Sequence, residues 1–428
     1  MKTIAILGFG CAGYHCAKTL RELGYEGAIH VFSDTDLPPY NPMLTTYYAG
    51  HRLPWKGLFP FGSLSDIARS LRLTVHTGAA AIHLDTPGKT LYLADGSVHT
   101  FDALLISTGA RVFLPPLPAL PEKNVYVMRT PADAEALRRR LDQGNVKQAV
   151  VVGASMVGIK VAELFQRAGA RCILADMAPS LFPLAAVPEV GAELGQRVME
   201  KGVQLKFGVG LTAIDEVPDG LKVSFGTETL DADVVVLAIG TRANLDFLDG
   251  SEPQVNRGIL VNEKMETSAP GIYAAGDCAS GRNIQTGQNQ IIGLWANAGY
   301  QGRTAAGAML GKPVDYPGNM PHNITHFMDM DFIGFGDVRA KGEIIRCRRD
   351  GFFLYAIRQE GTLALVNIVD NHIISGVIKN YMTRKFLGSS EPISSMQKVI
   401  LLRSGLDEAI IELLERSPLN EGVTYESN

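Results

Sequence analysis

Apolar positions fall into two patterns along the chain. Unbroken apolar runs at Thr3 to Leu7, Ala28 to Phe32, Ala149 to Val152 and Cys172 to Ala175 read as buried strands. Stripes at helical spacing follow the first and third of them: Ala17, Leu20 and Leu23 in Tyr14 to Leu23, then Val157, Val161, Leu164, Phe165 and Ala168. Each strand–helix–strand unit leads into a chain of short strands. One spans Leu73 to Ile106, with turns at Pro87-Gly88 and Asp95-Gly96; the other turns at Pro218-Asp219-Gly220. Both end in an apolar strand, DALLISTGAR from Asp102 to Arg111 and DVVVLAIGTR from Asp233 to Arg242. The chain therefore repeats a whole domain, joined through the proline-rich Pro115 to Pro121. The predicted class is α/β, with two Rossmann-like domains and an α+β remainder.

Pro38 to Gly50, PPYNPMLTTYYAG, is too proline-rich for a regular element and too aromatic for a free linker, so it is expected to pack as an irregular segment. Beyond residue 317, Ile324 to Asp337 reads as a strand pair, Phe352 to Ile368 as a hairpin turning at Glu360-Gly361, and Val399 to Leu414 as one amphipathic helix.

The turns after the first and third strands give the repeat its chemistry. Gly8, Gly10 and Gly13 form G-x-G-x-x-G between strand and helix, and Asp34 ends the next strand twenty-one residues after Gly13. In such a turn the first glycine bends the chain, the second lets backbone approach a pyrophosphate, and the third packs helix against strand. The helix start offers unpaired N–H groups and a positive dipole end to the phosphates. Ser33 or Asp34 would hold the ribose hydroxyls. In the second half Gly153, Ser155 and Gly158 take the same places, with Met156 and Val157 opening the helix, and Asp176 stands eighteen residues after Gly158. Asp176 accepts from a ribose diol and repels a 2'-phosphate, and Met177, Ala178, Pro179 and Ser180 bring no arginine, so NADH is favoured over NADPH. Two dinucleotide folds in one chain suggest electron passage between two bound cofactors.

Composition narrows the class. At 428 residues with 46% hydrophobic content the chain is large enough for two or three domains with real cores. A net charge of -4 gives no reason to expect nucleic acid or an anionic membrane surface as partner. Five cysteines without a C-x-x-C pair suggest neither a disulfide framework nor a zinc site and fit a reducing compartment, with the cytoplasm as default. The apolar start after Lys2 is broken at Gly8, Gly10, Gly13 and His15, unlike a signal peptide, and no apolar stretch is long enough to span a membrane. His322 and His326 are four apart, but Pro321 argues against a helix bringing them together on a metal.

Thr267 to Asp277, TSAPGIYAAGD, resembles the flavin motif of the two-dinucleotide-domain flavoprotein reductases, the FAD/NAD(P)-dependent pyridine nucleotide oxidoreductases that include glutathione reductase, NADH oxidase, ferredoxin reductase and rubredoxin reductase. The resemblance covers residues 1 to 317 and implies FAD on the first fingerprint and NAD(P)H on the second. It implies that Asp277 holds the ribityl chain. The implied FAD contacts are Gly8, Gly10, Cys11, Ala12, Gly13, Ser33, Asp34, Thr108, Gly109, Arg111, Gly276, Asp277, Leu294, Trp295 and Ala298. Those for NAD are Gly153, Ser155, Met156, Val157, Asp176 and Gly240. LWANAGYQGRTAAGAM, Leu294 to Met309, resembles the helix whose N-terminus faces the flavin pyrimidine and favours the negative charge of the reduced ring; Trp295 lines that ring or is core.

The disulfide reductases of the family need a thiol pair in the segment that here runs Tyr40 to Gly50, which has no cysteine, and the single-cysteine peroxidases and oxidases need one near Thr46. Cys11 and Cys16 belong to the phosphate turn and its helix. PPYNPMLTTYYAG instead resembles rubredoxin reductases and the flavin domain of assimilatory nitrite reductase, which pass electrons from NADH to another redox centre. Tyr47 and Tyr48 would then lie near the flavin edge. Two departures stand out: Ser155 replaces the middle glycine, and Lys160 replaces a glutamate near the nicotinamide carboxamide, where an ammonium can only donate. The lysine is either an adapted feature of this branch or the mark of a weakened site.

The expected organisation is an FAD-binding domain of residues 1–110 and 245–317, an NAD-binding domain of 111–244, and a C-terminal interface domain of 318–428. The expected function is an NADH oxidoreductase that sends electrons through FAD to a redox protein such as a rubredoxin or ferredoxin. The alternatives are an oxidase or reductase of a small acceptor, and a flavin-bearing subunit with a disabled nicotinamide site. No side chain need act as acid or base. Arg346, Arg348, Arg349, Lys379, Arg384 and Lys385 are candidates for a docking face toward an acidic redox protein or for a solvated basic face, and the C-terminal domain for a homo-oligomer contact.

Overall fold

The computed structural model describes residues 2–248, 252–312, 315–349, 351–415 and 425–427. Its chain packs as two compact units, one of residues 1–113, 129–135 and 241–319, the other of 114–128, 136–240 and 320–428.

The first unit is built on a parallel sheet of five strands in the order Ile272–Ala274, Ala103–Ile106, Ile4–Leu7, Ile29–Phe32, Thr74–His76. Ile4–Leu7 and Ala103–Ile106 are buried throughout, which is why both read as unbroken apolar runs. The three-stranded antiparallel sheet Ala81–Asp85, Thr90–Leu93, Val98–Thr100 follows the predicted turns. Helix Cys11–Glu22 packs against helix Trp295–Met309 through small residues, since a Cβ on Gly302 would lie 2.2 Å from the Ala12 carbonyl oxygen.

The second unit repeats the plan. Its parallel sheet runs Gln204–Phe207, Arg171–Asp176, Gln148–Val152, Val234–Leu237, Val125–Val127, and its antiparallel sheet is Ala213–Val217, Gly220–Phe225, Glu228–Ala232. Gly8 and Gly153 both have positive φ, and a Cβ on either would meet a carbonyl of the neighbouring strand end, Ser107 at 2.4 Å and Ala238 at 2.3 Å. The helix glycines Gly13 and Gly158 approach the Gly8 and Gly153 carbonyl oxygens, where a Cβ would lie at 2.5 and 1.8 Å.

A six-stranded sheet completes this unit, in the order His322–Phe327, Met330–Gly336, Thr362–Val369, Phe352–Gln359, Glu343–Arg349, Tyr425–Ser427. It is fastened to the nucleotide fold by polar groups that the sequence does not connect. The fully buried Asn367 amide accepts from Val187 N at 2.9 Å and donates to Ala185 O at 2.8 Å. The Glu163 carboxylate, buried on helix Met156–Arg167, accepts from Met328 N at 3.1 Å. Phe182 packs its ring on Phe327 and Phe332. Truncating Asn367 would orphan buried backbone groups at a cost of about 1–3 kcal/mol each.

Three expectations change. The proline-rich segment is regular from Pro42 to Ala49 and irregular only before it: Asn41 caps a 3-10 turn at Pro42–Leu44, accepting from Met43 N at 3.0 Å, and helix Thr45–Ala49 continues from it. Pro42 starts the turn because its fixed φ suits a first helical position. The helix expected over Val399 to Leu414 is two, Ser395–Arg403 and Glu408–Glu415, broken at Gly405 with φ 95°. The basic cluster is engaged within its own unit: Arg346 pairs with Glu189, Arg348 with Glu193, Arg349 with Asp407 and Arg384 with Glu391, while Lys379 bonds His322 and Lys385 the Ser390 carbonyl. These charges are largely neutralised, which weakens any long-range field for docking.

Candidate functional site

In the first unit the sheet brings the glycine turn, the strand-end acid and the flavin-like motif to the carboxyl ends of its strands, the usual place for a ligand in such a sheet. Gly10 is the N-cap of helix Cys11–Glu22, with φ -90° and ψ -157° and no side-chain cap. A Cβ on it would meet nothing within 4 Å. The helix start therefore has no side-chain cap and has open space beside its N-cap residue, which suits a pyrophosphate. Ser33 is buried, its N–H donating to His76 O at 2.9 Å, whereas Asp34 beside it is exposed. Of the two, Asp34 presents a side chain to solvent.

Gly276 holds φ 86° between the helices, its Cβ direction ending 3.5 Å from Ala12 Cβ and 3.6 Å from Ala298 Cβ. The Asp277 carboxylate follows it and receives a hydrogen bond from Arg129 at 2.7 Å. Leu294 is the N-cap of helix Trp295–Met309, again with no side-chain cap. The Trp295 ring stacks on Phe61 with centroids 5.4 Å apart, and its Nε1 is buried without a hydrogen-bond partner. A buried indole N–H left unpaired is costly unless a ligand or water accepts from it. Cys11 donates to the Trp295 carbonyl at 3.2 Å. Thr108 donates to Asn244 O at 2.7 Å, Gly109 has φ 66°, and Arg111 is held by Asp246, with one of its bonds at 2.8 Å.

Arg129 is the residue that sequence reasoning missed. It lies just before helix Pro131–Asp142, where Thr130 and Asp133 cap reciprocally: Asp133 N donates to Thr130 Oγ1 at 3.1 Å and Thr130 N to the Asp133 carboxylate at 2.7 Å. The signal was the T-x-x-D spacing, which marks a helix start. Tyr40 belongs to the same surroundings, its phenol pushed up by burial and influenced by Arg129, Asp133, Asp34 and Asp277.

The second unit assembles its own set. Ser155 caps helix Met156–Arg167 with φ -89° and ψ 174°, ordinary angles that make the replacement of a glycine strain-free. Its Oγ accepts from Gly158 N at 3.1 Å and donates to Ala238 O at 3.0 Å, so the hydroxyl is engaged within the turn. Met156 and Val157 form the first turn of that helix, and Lys160 lies buried on it. At the end of its strand, Asp176 accepts from Ala154 N at 2.6 Å and from Ala178 N at 2.7 Å. These bonds fix the carboxylate beside the glycine turn and leave each oxygen a lone pair. Gly240, φ 107°, has open space around it.

None of the five cysteines is in a disulfide, and all are buried. Burial pushes the Cys11 thiol up to about 12 and also raises Cys16, so neither forms a thiolate at neutral pH. Among the described residues no group of three side chains could hold a metal ion, and no helix is long and apolar enough to cross a membrane.

The profile of the pyridine nucleotide-disulphide oxidoreductases matches residues 2–302. The chain belongs to this family. It is 30% identical to the NADH-dependent phenylglyoxylate dehydrogenase subunit epsilon of Aromatoleum evansii over 89% of its length and 91% of that protein. It is 26% identical to an NADH oxidase of Methanocaldococcus jannaschii, over 77% of its own length and 75% of the other. Its fold matches putidaredoxin reductase in the covalent complex with putidaredoxin, with a TM-score of 0.83 at 24% identity, covering 95% of this chain and 99% of that one. The protein is thus an NAD(P)H-dependent flavin oxidoreductase, and family membership implies FAD and NAD(P)H as its cofactors. The first unit fits FAD on its own evidence: an open glycine turn, two uncapped helix starts, a carboxylate beside one of them and an orphaned indole N–H.

Proposed function

We propose that this chain takes hydride from NADH onto FAD and delivers the electrons to a separate redox protein. The observation that carries the reading is the state of its sulfur: every thiol is buried, and helix Thr45–Ala49 offers Thr45, Thr46, Tyr47 and Tyr48 where a disulfide reductase of the family needs its redox pair. Without an internal acceptor the electrons must leave the chain. A protein acceptor is supported by the relatives, one named as a subunit of a larger dehydrogenase and one crystallised with putidaredoxin.

On this reading the first unit holds FAD through Gly8, Gly10, Cys11, Ala12 and Gly13 at the pyrophosphate and Ser33 and Asp34 at the ribose. Gly276, Asp277, Leu294, Trp295 and Ala298 hold the rest of the cofactor, with Thr108, Gly109 and Arg111 beside it. Arg129 joins them by orienting Asp277. The second unit holds the nicotinamide nucleotide through Gly153, Ser155, Met156, Val157 and Gly240, with Asp176 on the ribose diol making NADH the preferred donor. FAD, when bound, supplies a centre that accepts hydride and releases electrons singly. The chain's work is to align the donor, tune the acceptor and exclude oxygen. Residues 318–428, fastened to the second unit, are the partner-facing or self-associating part.

A second reading, a flavin-bearing subunit with a closed nicotinamide site, draws on the buried Lys160. One stopped-flow experiment separates them. Under anaerobic conditions NADH should bleach the flavin, and a rubredoxin or ferredoxin should then restore its colour faster than oxygen or a quinone at equal concentration. Faster recovery with the small oxidants would assign a small acceptor instead. Failure of NADH to bleach the flavin within seconds would select the second reading.

A further inference from the structure

Beneath the start of helix Trp295–Met309 lies a connected set of buried amides and a phenol that the reading above leaves without a role. Asn297, on the inner face of the first turn, accepts at Oδ1 from the Tyr316 hydroxyl at 2.8 Å and from Asn319 Nδ2 at 3.0 Å, and donates from Nδ2 to Ile292 O at 3.1 Å. One turn along, Gln301 Oε1 accepts from Gly276 N at 2.8 Å, while its Nε2 reaches the Tyr316 oxygen at 3.5 Å. Asn297 is 1% exposed, Gln301 2% and Tyr316 8%. The set therefore braces two things at once: the uncapped end of the helix, and the left-handed glycine directly before Asp277.

Apolar packing alone would anchor this helix, as it does along Ala305 and Ala306. A buried polar network adds directionality, and leaves orphaned groups if one member is removed. Directionality matters here because the partial positive charge of a helix end acts only within about its first turn. A small rotation would move that charge relative to the ring of a flavin whose ribityl chain Asp277 holds.

We propose that Asn297, Gln301 and Tyr316 are positioning residues that fix the helix end against Asp277 and thereby set the reduction potential of the flavin. The inference rests on FAD occupying the first unit. It assigns these residues no contact with the cofactor.

The test uses the full-length flavoprotein and three variants. Tyr316→Phe removes only the hydroxyl that Asn297 accepts, Gln301→Met removes the acceptor of Gly276 N at similar size, and Tyr300→Phe alters a half-exposed side chain on the same helix outside the network. Each is equilibrated anaerobically with a redox dye, and the ratio of reduced to oxidised flavin is read at a fixed dye potential, beside thermal unfolding. Tyr316→Phe and Gln301→Met should lower that ratio roughly fivefold to tenfold, the size of a helix-end charge interaction. Tyr300→Phe should leave it unchanged. Lower thermal stability with an unmoved ratio in Tyr316→Phe would overturn the proposal, whatever the fate of Gln301→Met, by showing that the network serves only the fold. An equal shift in Tyr300→Phe would overturn it too. A native protein that binds no FAD would instead refute the underlying functional reading.

Discussion

A Gly10→Val variant is expected to fold like the native chain and to purify without flavin. Gly10 has φ -90° and ψ -157°, a conformation open to any residue, and a Cβ there meets nothing within 4 Å. The protein itself gives the valine no reason to misfold, apart from the few tenths of a kcal/mol to about 1 kcal/mol lost at an N-cap by an apolar residue. The space that the side chain fills is the approach to the uncapped N–H groups of helix Cys11–Glu22. Two charge-assisted hydrogen bonds to a pyrophosphate are together worth about 3–6 kcal/mol, or roughly two to four powers of ten in affinity. Gly13→Val provides the contrast. Its Cβ would lie 2.5 Å from the Gly8 carbonyl oxygen, so that variant should lose stability as well as colour. Flavin absorbance per protein and the unfolding midpoint check both. A yellow Gly10→Val protein would show that the phosphates do not lie on this turn.

Replacing Asp176 should erase the proposed preference for NADH. The carboxylate is fixed by the Ala154 and Ala178 N–H groups, so an incoming ribose diol meets a pre-oriented acceptor. Each charge-assisted hydrogen bond lost costs about 1.5–3 kcal/mol, which predicts that kcat/KM for NADH falls roughly tenfold to a hundredfold in Asp176→Asn, where the amide still accepts but no longer carries charge. NADPH should gain, because the repulsion of its 2'-phosphate is removed. The measured quantity is the ratio of kcat/KM values for the two nucleotides in the native protein and the variant. An unchanged ratio would place the ribose elsewhere.

The nucleotide folds were legible because their constraints are local. Gly8, Gly10 and Gly13, and then Gly153 and Gly158, each answer to a contact made within one strand–turn–helix unit, and the paired strands ending at Arg111 and Arg242 exposed the repeat. What escaped depends on distant partners. Arg129 meets Asp277 across 148 positions, and Asn367 meets Val187 across 180. No spacing rule reaches that far. The misread elements were local but turned on competing signals: Pro42 starts a helical turn instead of preventing one, and the Gly405 stop outweighed the apolar stripe that crosses it. Arg346 and Arg348 stayed open between a docking face and a solvated one because their neutralising carboxylates, Glu189 and Glu193, lie more than a hundred residues earlier in the chain.

On the proposed function this polypeptide is a flavoprotein in which NADH reduces the flavin and no sulfur group. Anaerobic titration with NADH, with flavin absorbance and free thiols followed together, distinguishes this from disulfide reduction. The expected result is a yellow protein whose flavin bleaches fully on one equivalent of NADH per flavin, with no change in reactive thiol. A colourless protein that takes up no FAD, or an endpoint at two equivalents with new thiols appearing, would refute the proposed function.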